Sequence, residues 1–159
     1  MMSTVLRAAE FLCLSLWLGG DVFLSFVVAP GAFAVLGSRD LAGTMVGYAL
    51  ARLHILGIVF GLLFFLFRLL RSRSFAAFTS PAALAVLLML ALTAGSQFAV
   101  SRRLAALRTE MGSVDRTPLE NPFRVEFDRL HKISVRLEGG VLLAGLTALY
   151  FLTREVSQP

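Results

Sequence analysis

Four long apolar runs constrain this chain more than any other feature; they occupy residues 5–28, 53–70, 80–100 and 133–152. A helix needs about 20 mostly apolar residues to cross roughly 30 Å of hydrocarbon. In that medium every backbone N–H and C=O must find its partner inside the protein, which a helix achieves within one segment. The runs therefore predict four membrane-spanning helices. Composition agrees, with 57% apolar residues, 16% charged residues and a mean hydropathy of +0.80. No repeat or glycine-serine linker divides the 159 residues, so 1–159 reads as a single integral membrane domain. The expected fold is all-α, a four-transmembrane-helix bundle.

The ends of the runs carry local signals. Pro30 and Gly31 predict the end of the first span, with PGAFAVLGSRD as a short turn or re-entry. The second span continues a helix that begins near Asp40. Ser80 and Pro81 form an N-cap followed by the residue best tolerated at the first helical position. The third span runs on through the polar stretch SRRLAALRTE, and the fourth helix starts from Asn121 and Pro122. Arg7 ahead of an apolar stretch, with Ala32-Phe33-Ala34 behind it, has the outline of a cleaved signal peptide. A signal core runs only about 7–15 residues, shorter than this one, and Asp21 lies within it, so a span is expected.

The formal net charge is +5, yet the basic residues flank apolar runs with no aromatic-studded groove between them. Lipid headgroups suit them as partners, and nucleic acid does not. Arg68, Arg71 and Arg73, with Arg7 and Arg154, favour cytoplasmic termini; the opposite face carries more Arg and Lys mixed with acids, so the positive-inside rule does not decide orientation. The single cysteine, Cys13, excludes an intrachain disulfide or a cysteine metal cluster. Cys13 and scattered methionines form no soft-ligand set for copper. No nucleophile elbow, phosphate loop or zinc-protease helix is present, so hydrolytic and nucleotide-driven chemistry have no foothold.

What the chain does carry is polarity in an unexpected place. FDRLHKISVRLEGG, Phe127 to Gly140, leads straight into the apolar run VLLAGLTALYFL. With four crossings, the end of span one, the start of span two, the end of span three and the start of span four share one face of the membrane. Asp21, Arg52, His54, Ser96, Gln97, His131, Ser134 and Glu138 all fall there, while the opposite half reads as almost purely apolar. An ionisable group in hydrocarbon costs about 2.5–3.5 kcal/mol and is normally paired or turned to a wet cavity.

Helical phase places His131, Ser134 and Glu138 on one face of the fourth span, and Gly43, Gly47, His54, Gly57 and Gly61 on one face of the second. The glycine pairs at four-residue spacing predict close approach by a neighbouring helix. The expected site is a one-sided polar pocket of Asp21, Arg52, Gln97, Ser134 and Glu138, with His54 and His131 meeting inside it. Two facing imidazoles could hold a cofactor, haem b or a metal ion being the sharpest version. The plainer alternative bonds each histidine to a carbonyl or carboxylate near the headgroups, while Arg129, Lys132 and Arg136 reach toward phosphates.

The stretch LWLGGDVFLSFVVAPGAF, the Arg-Leu-His opening of span two and FDRLHKISVRLEGGVLLAGL resemble the bacterial membrane family known as "domain of unknown function 4149", related to transmembrane-protein-205-like proteins. Its most specific elements are Pro30 with nearby Phe33, and the run Phe127, Leu130, His131, Ser134. The resemblance implies a four-helix membrane bundle and no particular chemistry. More distantly, the arrangement is similar to four-helix, histidine-bearing families linked to copper resistance and to haem-dependent protoporphyrinogen oxidation. Two functions are expected from these readings, ahead of a third, a proton-coupled carrier, which would need Asp21 and Glu138 to titrate and finds little room for alternating access in four spans without oligomerisation. One is a small ligand-binding protein of the bacterial inner membrane; the other is a non-catalytic accessory subunit of a larger membrane complex or homo-oligomer.

Overall fold

A computed structural model describes residues 2–157. Four helices in it are long and apolar enough to cross a membrane: α1 (Met2–Val35), α2 (Arg39–Ser72), α3 (Pro81–Met111) and α4 (Pro122–Ser157). The shortest, α3, has 31 residues, which at about 1.5 Å per residue exceeds a 30 Å hydrocarbon layer by some 16 Å. The helices alternate up and down, and chain neighbours are spatial neighbours. α1 packs chiefly on α2 and α3 on α4, while α1–α4 and α2–α3 contacts close the ring.

Local chemistry accounts for the turns. The Ser38 side chain caps α2 by accepting from Leu41 N, and the Ser80 hydroxyl caps α3 by accepting from Ala83 N, ahead of Pro81. α2 stops at Arg73, which adopts a left-handed conformation, φ 52°, with its N–H on Leu69 O. Gly112, at φ 68°, ends α3 in a region that glycine reaches without strain. Asp40 at the start of α2 ties down the α3–α4 loop, its two oxygens accepting from Ser113 Oγ at 2.5 Å and Val114 N at 3.0 Å.

Pro30 does not end the first helix. α1 passes through a five-residue π-helical turn, Leu24–Val28, and then continues through Ala29–Val35, so the expected turn at PGAFAV is helical. A proline lacks the N–H that a regular helix needs and its ring crowds the preceding turn; a widened π turn just before it absorbs both defects. α3 contains a second π segment, Ser96–Ser101.

The bundle is apolar outside as well as inside, as a lipid-facing protein must be. Leu12, Leu16, Phe26, Leu62, Leu66, Leu87 and Leu143 are exposed, while Trp17, Phe64, Leu14, Met89, Val86, Val141 and Leu152 fill the interior. Because lipid tails are as apolar as leucine, close packing and interhelical hydrogen bonds hold such helices together. The glycines show where that matters. A Cβ built on Gly57 would land on the Trp17 indole, and one on Gly61 would meet Leu90 Cδ2 at 2.6 Å and Trp17 Cζ3 at 2.8 Å. Gly43 instead makes room for the Arg108 guanidinium, and Gly47 has open space around it. The expected close approach therefore holds at Gly57 and Gly61 against α1 and α3, and fails at Gly47.

The half expected to be almost purely apolar contains a buried ionic network. Glu10, fully buried, accepts from Arg68 Nη1 at 3.1 Å and from Arg71 Nε at 2.6 Å. Arg68, 2% exposed, also donates to Ala77 O, Ser80 Oγ and both oxygens of Glu155. These bonds join α1, α2, the start of α3 and the end of α4 at one end of the bundle. Two cations face two anions, and each guanidinium and carboxylate has a partner.

Candidate functional site

The second polar cluster lies deeper along the helices. His54 is fourteen residues before Arg68 on α2, so the two layers are about 21 Å apart at 1.5 Å per residue. Met89, Val86, Trp17, Phe64, Val141 and Ala144 form the apolar core between them.

His54, 1% exposed, is held across two neighbouring helices. Its Nδ1 lies 3.0 Å from Gln97 Oε1 on α3, and its Nε2 lies 2.6 Å from Glu138 Oε1 on α4. A carbonyl oxygen only accepts, so Nδ1 carries a hydrogen and donates it to Gln97. With Nδ1 as the donor to Gln97, Nε2 is the ring atom that faces Glu138. Ser96 Oγ donates to the same Glu138 oxygen at 3.2 Å. The Glu138 side chain is 15% exposed, so that it and Gln97 are the partly exposed members of the group, while Asp21 and His54 are buried.

Asp21 on α1 completes the cluster from the remaining helix. It is 3% exposed, and its Oδ2 has no hydrogen-bond partner among the described residues. Two packing details bring it there. A Cβ on Gly20 would meet Leu53 Cδ1 at 2.7 Å, so glycine lets α1 approach α2 beside His54. One turn earlier Trp17 sits against Gly57 and floors the site. Thr93 and Ser101, a turn to either side of Ser96 and Gln97 on α3, also have buried hydroxyls without partners among the described residues.

Both π segments adjoin this layer. Leu24–Val28 begins just after Asp21, and Ser96–Ser101 contains Gln97 itself. Such segments interrupt the regular hydrogen-bond ladder and recur at functional sites. They change the direction in which successive side chains point.

Of the expected site residues, the structure brings together Asp21, His54, Gln97 and Glu138, and buries Ser134 a turn before Glu138. Two do not join them. Arg52 is exposed, its guanidinium 5.0 Å from the centre of the Tyr48 ring. His131 is exposed and lies parallel to the Phe127 ring, with centroids 6.3 Å apart. The expectation that His54 and His131 meet is corrected. His131 is two turns before Glu138 on α4, and both nitrogens of His54 are already engaged with other side chains. Sequence reasoning also missed Glu10, whose partners Arg68 and Arg71 lie 58 and 61 residues away. It missed the roles of Gly20 and Trp17 as well, since neither stands out without knowing which helix lies opposite.

The fold and this site define a multi-pass membrane protein: a four-helix bundle with an ionic clasp at one end and a histidine–carboxyl cluster toward the other. Residues 12–113 match the family described as "Domain of unknown function (DUF4149)", and the chain belongs to that family. The match spans α1 to α3 and supplies Asp21, His54 and Gln97; Glu138 on α4 lies beyond it. No curated protein and no solved structure matches the chain.

Proposed function

We propose that this protein is a proton-handling bundle of the bacterial inner membrane, in which Asp21, His54, Gln97 and Glu138 take up and release a proton from one face of the bilayer. The observation that carries this reading is the charge inventory of the cluster. One carboxyl, Glu138, is bonded to the single imidazole and a second, Asp21, is buried near both; among the described residues no Lys or Arg is bonded to either, and one oxygen of Asp21 is bare. An unpaired charge in so dry a place is expensive, so the group exchanges protons in preference to holding separated ions. Glu138 is the entry point, being the carboxyl of the cluster that is partly exposed where Asp21 is buried, and His54 Nε2 is the acceptor it faces. Gln97 keeps the ring in the tautomer that leaves Nε2 free to act.

This reading suits the residues better than haem b or a metal ion on His54 and His131. Both His54 nitrogens are occupied, His131 is exposed, and no three His, Cys, Asp or Glu side chains among the described residues are grouped to hold a metal.

The test is proton uptake by the detergent-solubilised protein as the pH is lowered, followed with a pH-sensitive dye. Asp21→Asn and Glu138→Gln should each displace the uptake of the remaining cluster as well as delete one carboxyl. Glu120→Gln, an exposed site, should remove only its own carboxyl. If Asp21→Asn and Glu138→Gln behave like Glu120→Gln, the proposal fails. Co-purification of other membrane subunits in that case would favour the accessory-subunit reading.

A further inference from the structure

The outer flank of α4 carries three cations with no carboxylate partner among the described residues. Arg129, Lys132 and Arg136 are all exposed and none takes part in an ion pair. Their spacing of three and four residues puts them in one stripe, which Val125 extends by another turn. The nearest acid, Asp128, is already paired with Arg124 at 3.1 Å. This stripe lies on the outside of the helix that sends Glu138 inward, so the unused cations are separate from the proton cluster.

The same stripe lines a groove with Leu119 from the α3–α4 loop, Val125 and Ile133 from α4, and Asp128, the one acid in the lining, whose charge is offset by its pair with Arg124. Leu119 and Val125 are 65% and 55% exposed. The loop that presents Leu119 is anchored, because Asp40 holds Ser113 and Val114 while the Arg124 guanidinium donates to Val114 O. The groove is therefore a built feature of the bundle.

Its level in the membrane follows from the apolar run of α4. A span of about 20 residues ending near Leu152 begins near Ile133. Arg129 and Lys132 then lie at the headgroup layer, with Arg136 one turn inside and able to reach back along its apolar stem. Three cations unpaired among the described residues, set around the hydrocarbon edge with the partly exposed Ile133 beside them, match one kind of molecule, with a negative headgroup joined to hydrocarbon. We infer that Arg129, Lys132 and Arg136, with Leu119, Val125 and Ile133, form a binding site for an anionic phospholipid on the outer face of α4.

The purified, full-length protein can be titrated with short-chain phosphatidylglycerol and bound lipid counted by native mass spectrometry, with phosphatidylcholine and inorganic phosphate as comparison probes. Phosphatidylglycerol should bind the unaltered protein well above phosphatidylcholine. The triple change Arg129→Gln, Lys132→Gln, Arg136→Gln should weaken it on the order of a hundredfold, at about fivefold per charge removed. Arg129→Lys with Arg136→Lys should retain it. Arg7→Gln with Arg154→Gln, at the opposite end, should leave it unchanged. Equal binding of the two lipids, or an unaffected triple variant, would overturn the inference. Inorganic phosphate competing as well as the lipid would also overturn it, since that would mark a soluble-anion site.

Discussion

The two polar layers of this bundle are built from similar side chains to opposite ends. At the clasp, Glu10 and Glu155 face Arg68 and Arg71, with the remaining donors on Ser80 Oγ and Ala77 O. At the cluster, His54 is the one base near Asp21 and Glu138, Ser96 adds a neutral donor to Glu138, and an Asp21 oxygen is left bare. Buried ions that balance one another and leave no unmet bond behave as a fastener between helices. Buried acids that outnumber their one base are held there at a cost to stability, which a functional role would explain. Burial alone does not separate the two cases, because Glu10 and Asp21 are both almost fully enclosed. The completeness of their bonding does.

Truncation should expose the contrast most strongly at the clasp. Glu10→Ala leaves Arg71 without a partner and takes one of its two carboxylates from the buried Arg68, which keeps Glu155, and should destabilise the detergent-solubilised protein by about 3–5 kcal/mol, measured by denaturant titration. A loss below about 1 kcal/mol would show that the clasp is not a fastener. Next in size is the packing beneath the cluster. Gly57→Leu must displace Trp17 and should cost about 1–3 kcal/mol or prevent folding, whereas Gly47→Leu, with open space around it, should be tolerated. Equal effects at both glycines would mean that the α1–α2 contact is looser than described.

Asp21→Asn should change stability by less than about 1 kcal/mol, and toward greater stability, because it removes a charge without breaking a bond. A loss comparable to that of Glu10→Ala would reveal a partner for Asp21 and return the cluster to a structural role. The smallest expected effect is that of His131→Ala. Its ring is exposed, so the change should fall within about 0.5 kcal/mol. A larger loss would indicate that the stacking on Phe127 fastens the start of α4.

How far the sequence discloses these two layers depends on what each feature needs in order to be seen. The helices follow from hydropathy, and the start of α3 from the Ser80–Pro81 pair, since both signals are local. Asp21, His54, Gln97 and Glu138 are legible because an ionisable or amide group inside an apolar run is costly wherever the helix sits. Pro30 misleads, because a π turn can absorb the bond it deletes. His131 misleads for another reason. Helical phase gives the direction of a side chain but not what lies opposite, and at His131 the covering surface is its own neighbour Phe127. Gly47 shares the phase of Gly57 and differs in the same way. The clasp is hidden in the sequence because Arg68 and Arg71 resemble ordinary flanking cations until Glu10 is placed beside them.

The central claim is that His54 and Glu138 share a proton under the influence of Asp21. The chain has two histidines, so a His131→Ala background leaves a single imidazole for nitrogen-15 NMR. The account predicts a protonated Nδ1 that stays protonated as pH changes. It also predicts an Nε2 resonance that moves with pH and shifts its midpoint in both Glu138→Gln and Asp21→Asn. A ring whose titration is the same in all three proteins, or whose Nδ1 gives up its proton, would contradict it.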